Sequence, residues 1–297
     1  MALDSFGYEY STIHRLTVHA GTFHSDDVFC GAAASLLNPG VEIRRVAKAD
    51  VETDLAAGEI VADIGFGPFD HHQKDCPLRD DGVRHCGASR LWLVFGPAVV
   101  KQVLGQQDDA LAESVSRVIY NGMLHTIAAL DNGDSCVSSA VYSVASMVES
   151  FRPNWDEDIS FDQGYLRAVD CMKTLLKNEI FRAASACRAE SYVRQRVAAM
   201  EDGVVVLEHF CPWKPVVMAE PSARAVVYPS LRGGWNAEPV PNEKEELTYR
   251  VHVPDAWRGT SGEAAGALCQ GMTFCHAKGF LIAFDTRENA VRAAKQL

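Results

Sequence analysis

The chain has 297 residues, 47% hydrophobic and 23% charged, with a formal net charge of −11. Such a composition excludes a disordered or fibrous chain, and no apolar run approaches the ~20 residues of a membrane span. Without a basic excess, tight non-specific binding to long duplexes is not expected, because that affinity comes from neutralised phosphates.

The length exceeds what one hydrophobic core ordinarily organises, so two domains are expected. The nine cysteines are odd in number, scattered, and form no CxxC pair. They read as reduced thiols of a cytoplasmic protein and argue against a cysteine zinc site or a disulfide framework. The opening residues show neither a basic segment followed by an apolar one nor an Arg-rich transit pattern. Charge is uneven: residues 1–150 hold 10 Lys and Arg against 20 Asp and Glu, and residues 151–297 hold 18 against 19. The acidic half is either a solvated surface or an acid excess partly neutralised by bound cations.

In chain order, "RLTVH" (15–19) predicts a short strand and "DDVFCGAAASLL" (26–37) a helix stopped by Asn38-Pro39-Gly40. "VEIRRVA" (41–47) and "EIVADIG" (59–65) predict further strands. Strand, helix, strand, strand implies an α/β domain with a mainly parallel sheet. Residues 88–96, 110–130 and 137–149 read as helices. The aperiodic "SFRPNWDEDIS" (150–160) is the expected linker, dividing the chain into 1–155 and 156–297. A helical span follows over 162–200, with an interruption expected near Asn178. Short β-type runs come next: "VVVLEHF", "PVVMAE", "ARAVVYP", "WNAEPV", "LTYRVHV", "MTFCHA" and "FLIAFD". With a last helix over 286–296, they describe an α+β second domain.

The chemistry concentrates in the first half. "HAGTFHSDD" places His19, His24, Asp26 and Asp27 at the end of the first strand and the turn into the helix. Asp63 ends a second strand, "FDHHQ" supplies Asp70, His71 and His72, and "AALDNGD" supplies Asp131 at a helix end. Open α/β sheets bind ligands outside the carboxyl ends of their strands, where these pieces should meet. Each piece alone is weak, since a lone His near a strand end or an Asp before Asn-Gly has commoner structural uses. Together they form an imidazole and carboxylate set without thiolate, suited to Mn²⁺, Mg²⁺ or Co²⁺. Six or more donors suit two ions better than one. Two such ions can activate a bridging water and clamp phosphoryl oxygens.

The elements "GTFHSDD", "DIG", "FDHHQ" and "LDNG", followed by "FCPWK", "GGWNAEPVP", "VPDAWRG" and "FCHAKGF", resemble the DHH phosphoesterase superfamily. More narrowly they resemble the melanocyte proliferating gene 1 family, formerly regarded as metal-dependent protein hydrolases. The resemblance spans nearly the whole chain. It implies a DHH-type catalytic domain, a second domain closing over its cleft, and a dinuclear manganese-type centre. It also implies phosphodiester hydrolysis, as a 3′→5′ exonuclease on single-stranded RNA, a short oligonucleotide or a nucleotide. His19 and His24 would bind one ion and Asp26, His71 and Asp131 the other, with Asp63 bridging. His72 would face the substrate phosphate and Asp70 would orient a neighbouring histidine. Asp27 would be an outer base or only a favourable first-turn acid of the helix. In the second domain Arg258, His276 and Lys278 would grip a phosphate; the alternative for Arg258 and Lys278 is an ordinary solvated cation.

The sequence departs from the family pattern at Ala20, Ser25, Asp27, Ala128 and "GASR" (87–90). None of these removes an implied ligand. A pyrophosphatase or small-nucleotide phosphatase is the same-chemistry alternative. A non-catalytic metal- or nucleotide-binding protein is the alternative of another class.

Overall fold

The computed structural model describes residues 13–134, 143–242 and 248–297. The chain divides into two compact units, Met1–Ala184 and Ser185–Leu297. Among the described residues no helix is long and apolar enough to cross a membrane.

The first unit is α/β. Its sheet has three parallel strands, β1 (Arg15–His19), β2 (Glu42–Val46) and β3 (Ile60–Val61), in the order β2-β1-β3. Leu16 and Val18 on one face of the central strand and Thr17 on the other are all fully buried, as expected of a parallel strand covered on both faces. The helices are α1 (Ser25–Leu37), α2 (Val51–Ala56), α3 (Gly87–Leu104), α4 (Asp109–Asn121), α5 (Met123–Asp131), α6 (Val144–Glu149) and the first part of α7 (Phe161–Ala198). The expected helix over 137–149 is seen from Val144, capped by Ser143; residues 137–142, and Cys136, lie outside the described residues. The short α2 carried no recognisable sequence pattern.

Small residues let α1 pack closely. Ala32, Ala33 and Ala34 are fully buried. At Gly31 an added Cβ would lie 2.6 Å from Tyr165 Oη and 2.9 Å from Val169 Cγ2. Tyr165 is itself fully buried and donates from its hydroxyl to Asp27 O at 2.9 Å. Gly31→Ala should therefore destabilise the fold by about 1–3 kcal/mol, the usual range for overpacking. Urea unfolding measures it, and an unchanged midpoint would contradict this packing.

Helix α7 runs unbroken through Asn178, and the division between the units falls inside it. Asn178 is exposed between the buried Leu176 and Ile180. On a solvent face its lower helix propensity costs only tenths of a kcal/mol, so the expected interruption does not occur. The loop 150–160, the expected linker, lies within the first unit, where Tyr165, Ala168 and Met172 of α7 are also buried.

The second unit carries a five-stranded sheet of β4 (Val204–Val206), β5 (Ala225–Pro229), β6 (Trp235–Pro239), β7 (Met272–Cys275) and β8 (Ile282–Phe284). Its order is β4-β5-β6-β8-β7, with β4–β5 parallel and the other pairs antiparallel. Alternation along the strands makes two cores. Val204, Ala225, Val227 and Phe284 pack with the last helix, α10 (Arg287–Gln296), while Val205, Val226 and Tyr228 pack with Trp213 and Val217. Trp213 is core, and Trp235 and Trp257 are partly buried against the other cluster.

Two expected strands differ. "PVVMAE" is helical, as α8 (Lys214–Met218), because Pro215 sits where its fixed φ favours a helix start. Among the described residues of "LTYRVHV" only Tyr249 pairs, in one bridge to Pro241. That bridge is flanked by the Asn242 N–H to Thr248 O and Arg250 N–H to Val240 O bonds, both 2.9 Å, while the Arg250 side chain donates to the carbonyls of Met218, Glu220 and Ala223. A short helix, α9 (Gly262–Leu268), was not legible either.

Candidate metal centre

The carboxyl edge of the parallel sheet gathers the expected residues. His19 is the last residue of β1, and Asp63 follows β3 after Ala62, whose N–H bonds Thr17 O at 2.9 Å. His24 caps the N-terminus of α1; Asp26 and Asp27 form its first turn and are fully buried. Asp131 ends α5. The loop from Asp63 to Asp70 folds back tightly, with Asp63 N bonded to Phe69 O and Asp70 N to Gly67 O. It thereby brings His71 to the same edge.

Asp63 is central. Its Oδ2 lies 3.3 Å from His19 Nε2, and its Oδ1 lies 3.1 Å from His71 Nε2 and 3.8 Å from His72 Nδ1. His71 Nε2 is also 3.2 Å from Asp131 Oδ2 and 3.7 Å from Asp26 Oδ2. Asp27 has two tasks: Oδ1 accepts the His24 backbone N–H at 2.8 Å, and Oδ2 approaches His19 Nε2 at 3.4 Å. Asp70 accepts from the backbone N–H groups of Phe66, His71 and His72, and its Oδ1 lies 2.7 Å from His72 Nδ1. The histidine that Asp70 orients is thus His72.

Despite these approaches, Asp26 Oδ1 and Oδ2, Asp27 Oδ2 and Asp63 Oδ1 are buried without a hydrogen-bond partner. An orphaned carboxylate oxygen away from water costs at least ~1–3 kcal/mol. Here four converge with imidazole nitrogens. Three overlapping groups have donor atoms within 4.8 Å of one another: His19, His24 and Asp63; Asp63, His71 and His72; His24, Asp26 and Asp131. This donor set, all nitrogen and carboxylate oxygen, fits a divalent cation, whose charge would satisfy the orphaned oxygens.

Titration follows the crowding. Burial, then the charges of Asp63, Asp131 and Asp27, push Asp26 well above the ordinary carboxylate range. Burial raises Asp27 to about 7 against the opposing pull of His19. At Asp63 burial also acts upward, but His19 and His71 outweigh it and hold the group at about 2. Burial lowers His19, yet Asp63 and Asp27 outweigh it and raise the ring to about 9. Perturbed pKa values of this kind are common where charged groups are gathered for function.

Three arginines that no sequence pattern singled out clamp the loops of this edge. Arg45 donates to Gly21 O at 2.7 Å, Arg152 to Phe23 O at 2.9 and 2.5 Å, and Arg90 to Pro68 O at 2.6 Å. Asn132, read in the sequence only as part of "LDNG", donates to the carbonyls of Ala128, Arg84 and His85 and so fixes the chain beside Asp131.

His85 is buried outside the cluster, with Nδ1 2.9 Å from Ser89 Oγ. Burial, then Arg79 and Arg90, lower its pKa from 6.5 to about 4. The unfolded chain takes up this proton at higher pH than the folded one. The contribution is therefore complete above pH 6.5 and lost as pH falls toward 4. Denaturant midpoints at pH 7 and pH 5 should differ less in His85→Gln than in the wild type; equal pH sensitivity would contradict this.

In the second unit, Arg258 Nε donates to Val253 O at 3.2 Å and packs over Gly279, where an added Cβ would lie 3.3 Å away. His276 Nδ1 accepts the Lys278 N–H at 3.1 Å, and its ring lies 4.0 Å from that of Phe280. Gly259 N bonds Cys275 O, which brings Arg258 beside the 275–279 turn. Arg258, His276 and Lys278 thus neighbour one another within their own unit.

A parallel α/β sheet whose carboxyl edge collects buried aspartates and histidines defines a candidate metal-dependent enzyme. The family model MYG1_exonuc, described as Uncharacterised protein family (UPF0160), matches residues 15–297, and the chain belongs to that family. It is 27% identical to the MYG1 exonuclease of Rattus norvegicus, over 95% of this chain and 84% of that protein. A MYG1 protein of Schizosaccharomyces pombe is 26% identical over 95% of this chain and 96% of its own length. A MYG1 protein of Chlamydia muridarum is 24% identical over 93% of each chain. No solved structure matches the chain.

Proposed function

We propose that the chain is a metal-dependent phosphodiester hydrolase, a 3′→5′ exonuclease acting on RNA or short oligonucleotides. The observation that carries this reading is the convergence of orphaned carboxylate oxygens with imidazoles at one sheet edge. Relatives named MYG1 exonuclease support the nuclease part. The first unit is read as a DHH-type domain holding two divalent ions, Mn²⁺ before Mg²⁺ or Co²⁺. His19 and His24 would hold one ion, Asp26, His71 and Asp131 the other, and Asp63 would contribute to both. When bound, the ions supply an activated water and neutralise charge on phosphoryl oxygens.

The chain's own residues do the rest. With Nδ1 of His72 tied to Asp70, Nε2 is its free ring nitrogen, and the ring is 55% exposed. In the imidazolium form Nε2–H donates to a phosphate oxygen. Asp70 fixes that ring, and Asp27 holds the His19 ring while capping α1. Arg258, His276 and Lys278 are the proposed phosphate-binding groups of the second unit. A cytoplasmic location is proposed from the scattered cysteines, of which the eight described are free.

The test is pure protein with Mn²⁺ and a 5′-labelled oligoribonucleotide. Stepwise shortening from the 3′ end, lost in EDTA and in His71→Ala, is expected. Absence of any nucleotide release, or equal activity in His71→Ala, contradicts the proposal. Phosphate release from pyrophosphate without oligonucleotide cleavage would favour the phosphatase reading instead.

A further inference from the structure

The metal cluster forms one wall of a cavity of about 810 Å³ that also bears Lys48 and Phe66. A second, smaller cavity of about 280 Å³ borders the cluster beside Asp131 and Glu149. Only the larger falls well inside the range of ~300–1,000 Å³ usual for small-molecule sites.

Phe66 is anomalous in two ways. It is 70% exposed, and its φ of 60° lies in the left-handed region, a genuine outlier for a bulky residue. Exposing a large aromatic ring and straining its backbone both oppose folding. Strain of this kind persists where surrounding structure enforces it, and it clusters at functional sites. The enforcement is visible. Gly65 and Gly67 on either side press against Val51, so closely that added Cβ atoms would lie 2.4 and 2.9 Å from its methyl groups. Asp70 Oδ2 accepts the Phe66 N–H at 2.6 Å.

The same carboxylate therefore holds both Phe66 and, through Oδ1, the His72 ring. A single buried side chain thus fixes the backbone that presents a flat apolar ring and the ring of the neighbouring exposed imidazole. Lys48 adds an exposed cation to the cavity, with no ion-pair partner among the described residues. A ligand with a planar face and more than one anionic group matches this lining. A terminal nucleotide unit has that chemistry and bare pyrophosphate does not.

Resting on the phosphodiesterase reading, we propose that Phe66 is the platform on which the terminal nucleobase stacks, with Lys48 meeting a phosphate of the same strand. Base–aromatic stacking is tolerant of base identity, so the site selects nucleotides as a class. Phe66 is a specificity residue, and Asp70 is its positioning residue.

The test is calorimetric binding of AMP and of ribose 5-phosphate to the full chain loaded with Mn²⁺. The two ligands share the phosphate and sugar and differ in the base. Wild type is expected to bind AMP at least tenfold more tightly. Phe66→Ala should bring the two affinities within twofold, and Phe66→Trp should keep the preference. Phe66→Gly should also lose the preference without lowering Tm, because glycine accepts the left-handed backbone; a purely structural Phe66 would lower Tm instead. Equal affinity of wild type for the two ligands, or an unchanged ratio in Phe66→Ala, overturns the platform alone. Binding of neither ligand overturns the platform together with the phosphodiesterase reading.

Discussion

Asp63→Asn is expected to lower phosphodiesterase turnover by on the order of 10³-fold, since a metal centre supplies several kcal/mol of charge stabilisation. The reason is position. Asp63 belongs to two of the three donor groups and approaches His19, His71 and His72 from its two carboxylate oxygens. An amide of the same shape keeps the volume but removes the charge that both groups share. The backbone tolerates the change: Asp63 has φ of 57°, a region that Asn enters more readily than most residues. A folded but inactive variant with reduced metal content is the expected result. Retention of more than a tenth of wild-type turnover would remove Asp63 from the centre of the mechanism.

Asp26→Asn should have opposite effects on the metal-free and metal-loaded protein. Asp26 is fully buried, both its oxygens are orphaned, and burial and its acidic neighbours raise its pKa. In EDTA the amide introduced there can donate to neighbouring carboxylates. A hydrogen bond to a charged group contributes ~1.5–3 kcal/mol, so this variant should melt above the wild type. With excess Mn²⁺ the order should reverse. Wild type gains stability from the bound ion, ~2.7 kcal/mol at a hundredfold excess over Kd, and the variant loses one of the donors. Melting curves with EDTA and with Mn²⁺ decide it. A variant less stable than wild type under both conditions would mean that Asp26 serves the fold rather than a cation.

The gathering of the candidate ligands at one sheet edge was legible because it follows from residue type and place. β1, α1, β2 and β3 follow from hydrophobic pattern and the Asn38-Pro39-Gly40 stop, and the parallel pairing of the strands brings His19, His24, Asp26, Asp27 and Asp63 to one edge. What carried no sequence signal depends on tertiary contact. Arg45, Arg90 and Arg152 act on backbone carbonyls, and a carbonyl acceptor leaves no trace in side-chain spacing. Phe66 reads as an ordinary loop aromatic until its exposure and left-handed φ are seen. The Val-Val pair of α8 suits a strand, and only Pro215 at the helix start tips it. "LTYRVHV" has strand composition, but its described residues form a single bridge, from Tyr249 to Pro241. Lys278 and Arg258 look alike in the sequence; in the fold Arg258 Nε donates to Val253 O while Lys278 is exposed.

The proposed hydrolysis requires that the clustered aspartates and histidines hold divalent cations. Anomalous diffraction from crystals grown with Mn²⁺, measured above and below the manganese edge, tests it most directly. Two peaks ~3.5–4 Å apart are expected, one beside His19 and His24, the other beside His71 and Asp131, with Asp63 touching both. A cluster with no anomalous peak, its carboxylates protonated and hydrogen-bonded to one another, would contradict it.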